Sequence, residues 1–282
     1  MLTVLDPGPL ATVQDLGRPG HAALGVPRSG AADRAALRLG NRLVGNADTA
    51  AGVEVTLGGL RVRAERDLLV ALTGAAGPAD IDGRPVAGGE PVRLRRGAVL
   101  RLGSPVTGLR TYLAARGGVA VQPVLGSRAT DTLSGLGPAP LRAGTRLPIG
   151  LQAASEPQRW DAVSLVTHGE LRLRVVLGPR QDWFTAAAVD HLFTLPWTVQ
   201  SQADRIGLRL AGPMLERGRA GELPSEGCLR GALQVPPDGA PILLGPDGPV
   251  TGGYPVIAVV VDSDCDRSAQ VRPGDHIRFE RA

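Results

Sequence analysis

The chain has 282 residues, 43% of them hydrophobic, enough to bury a core in one large domain or two smaller ones. Its 31 basic residues, every one an arginine, face 27 acidic residues for a net charge of +4, and aromatics make up 3%. That balance rules out a P-loop lysine, a Schiff-base lysine, a biotinyl-lysine and a Ser–Lys pair in this chain, and it leaves few stacking platforms for nucleic acid.

In chain order, residues 7–46 read as a turn-rich loop leading into a helix. The loop carries Gln14, Asp15, Arg18, His21, Arg28 and Ser29 between glycines. Loops that dense in polar side chains are usually placed for binding or catalysis. The helix is expected from about Ala32 to Val44, with Ser29 or Asp33 near its start and Gly45 after its end. Strands follow at 52–57, 60–64, 67–74, 91–95, 98–103 and 109–115, several of them alternating apolar with polar residues. Glycine pairs and Asp-Gly supply the turns between them. A polar seam at 151–166 lacks periodicity. Beyond it, strands are expected at 171–178, 197–201, 206–212, 227–237, 241–245, 255–262 and 276–280, with short helices near 182–192 and 264–270. Short strands at this spacing predict a mainly β fold, antiparallel, as two barrel-like lobes with a few short helices. The lobes divide near residues 1–160 and 161–282.

No apolar run reaches membrane-spanning length, and the N-terminus lacks a signal-peptide pattern. The two cysteines, Cys228 and Cys265, give no disulfide framework. The expectation is a cytoplasmic protein that binds neither nucleic acid nor membrane. The four histidines are scattered without ligand spacing, and Asp262, Asp264 and Asp266 lack the glycine and distal glutamate of a calcium loop. No metal site is expected, and the aspartates read as a strand end followed by a capped helix turn. Cys228 reads as a small hydrophobe in a strand. Glycine turns beside arginine at 25–30, 115–119, 125–131 and 203–210 suit a carboxylate or phosphate, or are simply solvated arginines. Tyr254, in the tight TGGYP turn, either donates to a ligand or closes a barrel end.

The ordered blocks VQDLGRPG, GVPRSGAAD, LGNRLVGN, RTYLAARGGV, VLGSRATD, GPRQDWFT, ADRIGLRL, PSEGCLRGALQVPPDGAPILL, TGGYPVIAVVVDSD and AQVRPGDHIRF span residues 2–280. Together they resemble the KipA family, also described as the 5-oxoprolinase C subunit, allophanate hydrolase subunit 2 or biotin-dependent carboxyltransferase-like proteins. The chain departs from the family pattern at Ala32, at 246–250 and across 135–146.

The resemblance implies a cyclophilin-like β-barrel architecture. It also implies a hydrolase component, active only in complex, that helps convert 5-oxo-L-proline to L-glutamate. Its partners in a hetero-oligomer would be a LamB/YcsF-like A subunit plus a KipI-like B subunit. The implied cofactor is ATP with magnesium, at a site open to sharing with a partner, and there is no covalently bound biotin in this chain. Asp15, Asp33, Asp247 and Tyr254 are the candidate catalytic residues. Gln14, Arg18, Arg28, Ser29, Arg128 and Thr251 are the candidate substrate-binding residues. Two alternatives accompany this reading: a carboxyltransferase subunit of a biotin-dependent urea or amide carboxylase, and a non-enzymatic regulator that binds a KipI-like kinase inhibitor.

Overall fold

The computed structural model describes residues 1–158 and 170–282. The chain divides into two compact units. The first takes Met1–Arg18, Ser29–Asp131 and the described part of Gly135–His168. The second takes Pro19–Arg28, Thr132–Ser134 and the described part of Gly169–Ala282. The polar seam runs partly into residues outside those described.

The first unit holds β1 (Leu2–Pro7), β2 (Leu10–Gln14), helix α1 (Arg34–Leu43), β3 (Gly52–Thr56), β4 (Leu60–Ala64), β5 (Leu68–Ala76) and β6 (Ala79–Ile81). It continues with β7 (Arg84–Pro85), β8 (Pro91–Leu94), β9 (Val99–Leu102), β10 (Thr107–Ala115) and β11 (Arg146–Leu147). A six-stranded sheet runs β11-β1-β4-β9-β6-β7, and a five-stranded sheet runs β2-β3-β10-β5-β8. Both line one core, with Val4, Val13, Val53, Val62, Leu100 and Leu113 fully buried. Strand β4 shows the alternation plainly. In LRVRA the apolar residues are buried and both arginines exposed, because successive side chains leave opposite faces.

Strand β10 is buried on both faces. Leu113 and Ala115 join the core, whereas Tyr112 and Ala114 meet α1. The helix lies on that outer face through Leu37 and Leu43. A side chain on Gly40 would come within 3.1 Å of the Thr73 hydroxyl and 3.2 Å of Ala114, so glycine permits the close approach. Thr73 Oγ1 donates to the Ala36 carbonyl (2.7 Å) and ties helix to sheet.

The second unit holds β12 (Leu171–Leu177), helix α2 (Ala186–Thr194), β13 (Trp197–Val199), β14 (Gly207–Ala211), β15 (Glu226–Gly227) and β16 (Ala232–Gln234). It ends with β17 (Ile242–Leu244), β18 (Thr251–Gly252), β19 (Val256–Val260), helix α3 (Asp262–Ser268) and β20 (His276–Arg281). Seven strands close a barrel in the order β12-β19-β16-β17-β14-β13-β20. Trp197, Phe279, Leu233, Ile257 and Ile277 fill it. No described helix is long and apolar enough to cross a membrane.

Several expectations need correction. Residues 10–14 are not loop but strand β2, paired with β3 along its whole length. The stretch 227–237 is not one strand: Gly231 sits at φ 88°, and β15 and β16 belong to different sheets. The barrel is not wholly antiparallel, since β12 and β20 pair in parallel to close it. Helix α2 starts at Ala186 rather than 182, because Thr185 caps it by accepting from the Ala188 N–H (3.2 Å). Cys228 follows β15 instead of lying within a strand.

Asp262, Asp264 and Asp266 all lie in α3 rather than at a strand end, and the helix begins after Val261 with no side-chain cap, a correction to the expected capped turn. Asp264 is almost fully buried and accepts from the Arg174 backbone N–H (2.8 Å) and from Nε and Nη2 of its guanidinium. Those bonds hold its carboxyl below the ordinary range. A depressed folded-state pKa stabilises above the unfolded value, and the contribution disappears as pH falls through the folded value. Asp264→Asn is therefore expected to lose stability at neutral pH and to flatten the acid limb of a thermal-melt profile below about pH 4.

Candidate functional site

In the first unit, three loops meet around the end of β2: residues 15–18, 29–31 and 127–131. Asp15 braces them. Its carboxylate accepts from the Gly17 N–H (2.8 Å), the Ser127 hydroxyl (2.6 Å) and the Arg128 N–H (2.6 Å). Gln14 donates from Nε2 to Thr12 Oγ1 (3.0 Å) and to the Thr130 carbonyl (2.9 Å), which also accepts from the Ser29 hydroxyl (3.2 Å). Ser29 and Gly30 are both left-handed, at φ 54° and 92°. A Cβ on Gly30 would lie 2.6 Å from the Gly17 nitrogen, so this turn has room only for glycine. Ser29 carries a conformational cost, which marks a turn fixed by its surroundings.

Arg18 lies at the centre, 1% exposed. Its Nη2 donates to the Ala129 carbonyl, and its Nη1 is 3.8 Å from the Asp131 carboxylate, whose side chain is equally buried. Among the described residues, Arg18 Nε and Nη1, Gln14 Oε1 and Thr130 Oγ1 have no hydrogen-bond partner. Each such buried group costs about 1–3 kcal/mol, and all four belong to the loops gathered around Arg18. A guanidinium with spare N–H groups suits a carboxylate or similar small anion.

The structure thus brings Gln14, Asp15, Arg18, Ser29 and Arg128 together. Arg128 contributes its backbone N–H, while its Nε donates to the Val121 carbonyl (2.8 Å). Asp33 belongs to a neighbouring network. Its side chain caps α1 by accepting from the Ala36 N–H (2.8 Å), and its own N–H donates to Tyr112 (2.7 Å). Tyr112 in turn donates to Glu54 (2.8 Å), which also accepts from the Ala32 N–H (2.9 Å) and lies 3.5 Å from Arg110. All are buried. Burial first, then the Glu54 and Asp33 charges, push the Tyr112 hydroxyl well above its ordinary pKa, so it stays a donor.

The second unit holds Arg28, Asp247, Thr251 and Tyr254. Arg28 is exposed. Asp247 is fully buried and takes a two-pronged bond from Arg205 (2.8 and 2.9 Å), plus the N–H and hydroxyl of Thr132 (2.9 and 2.7 Å). Thr251 and Tyr254 stand exposed on and just after β18, which pairs with β15. Beside them, Gln234 Nε2 donates to Cys228 Sγ (3.1 Å). A side chain on Gly252 would come within 2.6 Å of that amide, so the glycine leaves Gln234 its space. Arg180 forks onto Glu226 and holds its carboxyl below the usual range. Burial and the Glu226 charge raise the Cys228 thiol, which keeps it protonated and a poor nucleophile. The sheet pair therefore offers neutral donors and acceptors on an open face, chemistry fitted to an amide.

The carboxyltransferase domain, subdomain A and B, matches residues 24–281. The chain belongs to that family. It is 40% identical to the 5-oxoprolinase C subunit of Escherichia coli (strain K12), over 99% of this chain and 90% of that protein. The Haemophilus influenzae 5-oxoprolinase C subunit is 35% identical, over 99% and 91%. Among solved structures, the Kluyveromyces lactis urea amidolyase superposes with a TM-score of 0.94 at 30% identity, covering 99% of this chain and 18% of that one.

Residues not singled out in the sequence complete both clusters: Ser127, Thr130 and Asp131 around Arg18, Glu54 and Arg110 around Tyr112, and Arg205, Glu226 and Gln234 in the barrel unit. Glu54 interrupts an apolar strand and Gln234 ends one, and a polar residue in such a run is the signal that could have found them.

Proposed function

We propose that this chain is the C subunit of a 5-oxoprolinase, helping to open 5-oxo-L-proline to L-glutamate with ATP. A LamB/YcsF-like A subunit plus a KipI-like B subunit would be its cytoplasmic partners. The observation that carries the reading is the 40% identity to a 5-oxoprolinase C subunit, over nearly the full length of both chains. The substrate pairs a carboxylate with a neutral lactam. On the barrel unit, Thr251, Tyr254 and Gln234 match the lactam, as donors to its carbonyl and acceptors for its N–H. Asp15 acts as a brace for the Arg18 loops and not as a base, since its carboxylate already accepts from three donors.

Bound ATP would supply a phosphoryl group to activate the lactam carbonyl. The described residues do not fit a magnesium–nucleotide site: no three acidic, His or Cys groups converge, and the chain has no lysine. Nucleotide binding is assigned to the partner proteins, and no step through ATP is derived on this chain.

The test is reconstitution with both partners, reading ADP and glutamate. Thr251→Ala and Tyr254→Phe are each expected to lower kcat/KM about tenfold, the worth of one lost hydrogen bond. The reading fails if the three-protein assembly forms no glutamate, or if both variants match the wild type. Likeness to urea amidolyase supports a second reading, as the carboxyltransferase part of a biotin-dependent carboxylase. It predicts that, supplied with N-carboxybiotin and urea, the protein moves the carboxyl group to urea nitrogen and releases biotin. Partner binding with neither activity would favour the regulator.

A further inference from the structure

The first unit carries a second polar feature, at the sheet ends formed by β7 and β8. Strand β8 ends the five-stranded sheet and β7 ends the six-stranded one, so among the described strands each has a ladder partner on one side only. Between these ends runs a cleft of about 690 Å³ lined by Ile81, Arg84, Val86, Val92, Arg93 and Arg95, among others. A second cleft, of about 520 Å³, shares Arg93 and Arg95 and lies against Asp67, Leu68 and Leu69. Strand β8 is thus flanked by open space on two sides.

Charge in these clefts is lopsided. Arg84, Arg93, Arg95 and Arg96 are exposed, and none forms an ion pair with a described carboxylate. Some exposed arginines elsewhere do pair, such as Arg42 with Asp48, Arg172 with Glu280 and Arg219 with Asp182; what sets these four apart is that they gather along one cleft. The two carboxylates in the clefts face backbone amides. Asp67 accepts from the Arg96 N–H (2.7 Å) and Asp82 from the Val99 N–H (2.9 Å). Beneath the guanidinium rim the lining is aliphatic: Ile81, Val86, Val92 and Ala98. An apolar floor under an arginine rim is the anatomy of a protein interface. Among the described residues, no aromatic ring lines either cleft to stack a base.

We infer that the β8 edge is a docking site for an extended acidic segment of a partner polypeptide. The segment adds a strand to β8, sets apolar side chains on Ile81, Val86 and Val92, and turns its carboxylates toward Arg84, Arg93 and Arg95. Backbone bonding supplies affinity, and the alternation of side chains supplies selectivity. This inference does not depend on the catalytic reading.

The probe is a synthetic peptide of about ten residues alternating Glu and Val, the length of a long strand, titrated by fluorescence anisotropy into the full chain. A Lys–Val peptide and a thymidine oligonucleotide of similar length serve as comparisons. Binding of the acidic peptide that weakens with salt, protection of the 92–95 amides from hydrogen exchange, and a loss of at least about tenfold in R84S/R93S/R95S support the inference. The melting temperature of the variant, expected to stay near wild type because the sites are exposed, shows that the fold survives. Equal or tighter binding of the oligonucleotide overturns it in favour of a nucleic-acid surface. No acidic-peptide binding, or binding that the triple variant retains, also overturns it and leaves the arginines as guards against edge-to-edge pairing.

Discussion

Asp247→Ala is expected to cost about 3–5 kcal/mol of stability, because it leaves a buried guanidinium without its carboxylate. Arg205 is 2% exposed and Asp247 is fully buried, so water does not solvate the charge left behind. The same carboxylate also receives two bonds from Thr132, which pin residues 132–134 to the loop after β17. At about 2–4 °C per kcal/mol, the melting temperature should fall by roughly 6–20 °C. Asp247→Asn keeps the shape but loses the charge, and should fall between wild type and Ala. The pair D247L/R205M should recover much of the loss, since replacing both partners by apolar groups removes the orphaned charge. Thermal melts of the four proteins check this. A double variant no more stable than Asp247→Ala would show that the ion pair is not the source of the effect. A base in catalysis would behave differently: Asp247→Asn would leave the melt unchanged while abolishing turnover.

Most strand positions are legible in the sequence, and the reasons are local. LRVRA at 60–64 alternates cleanly because one of its faces meets solvent, and the observed strand keeps those bounds. Strand β2 is hidden for the opposite reason. LATVQ is buried from Ala11 to Gln14, so polarity does not alternate, and Pro7, Gly8 and Pro9 before it suggest a turn. Helix α1 is readable from Asp33 and its apolar stripe, and Asp33 does cap it. The density of polar groups at 14–18, with Ser29, points toward a real cluster, whereas Arg28 stands apart from it in the second unit. What no sequence pattern conveys is which partner each group meets. Arg18 and Asp131 are separated by more than a hundred positions, yet lie 3.8 Å apart. Asp15 and Asp247 look in sequence like bare carboxylates awaiting a substrate, but several donors already occupy each. Such saturation depends on loop closure over long separations, which composition and spacing do not encode. The family resemblance carries identity further than motif chemistry does.

Glu54→Leu should be equally severe, and it reaches the candidate site. Glu54 is 1% exposed in the middle of β3, between Val53 and Val55. A carboxylate is retained there because it satisfies three neighbours: the Ala32 N–H, the Tyr112 hydroxyl and the Arg110 guanidinium. Leucine fits the space but leaves Arg110 as a buried charge facing an apolar group, at about 3–5 kcal/mol. It also takes away the partner of Ala32, the second residue after the left-handed Ser29–Gly30 turn. That turn forms one wall of the Arg18 cluster, since Ser29 shares the Thr130 carbonyl with Gln14. Two results should therefore appear together. The denaturant midpoint falls, and hydrogen exchange at residues 29–33 accelerates beyond what global destabilisation accounts for. Glu54→Gln separates the two effects: its amide oxygen can still accept from Ala32 or Tyr112, while the charge opposite Arg110 is gone. It should lose stability and keep residues 29–33 protected. If both variants exchange at the wild-type rate in that segment, Glu54 supports the β-sheet alone and the Ser29–Gly30 turn is held by its own contacts to Gly17 and Thr130.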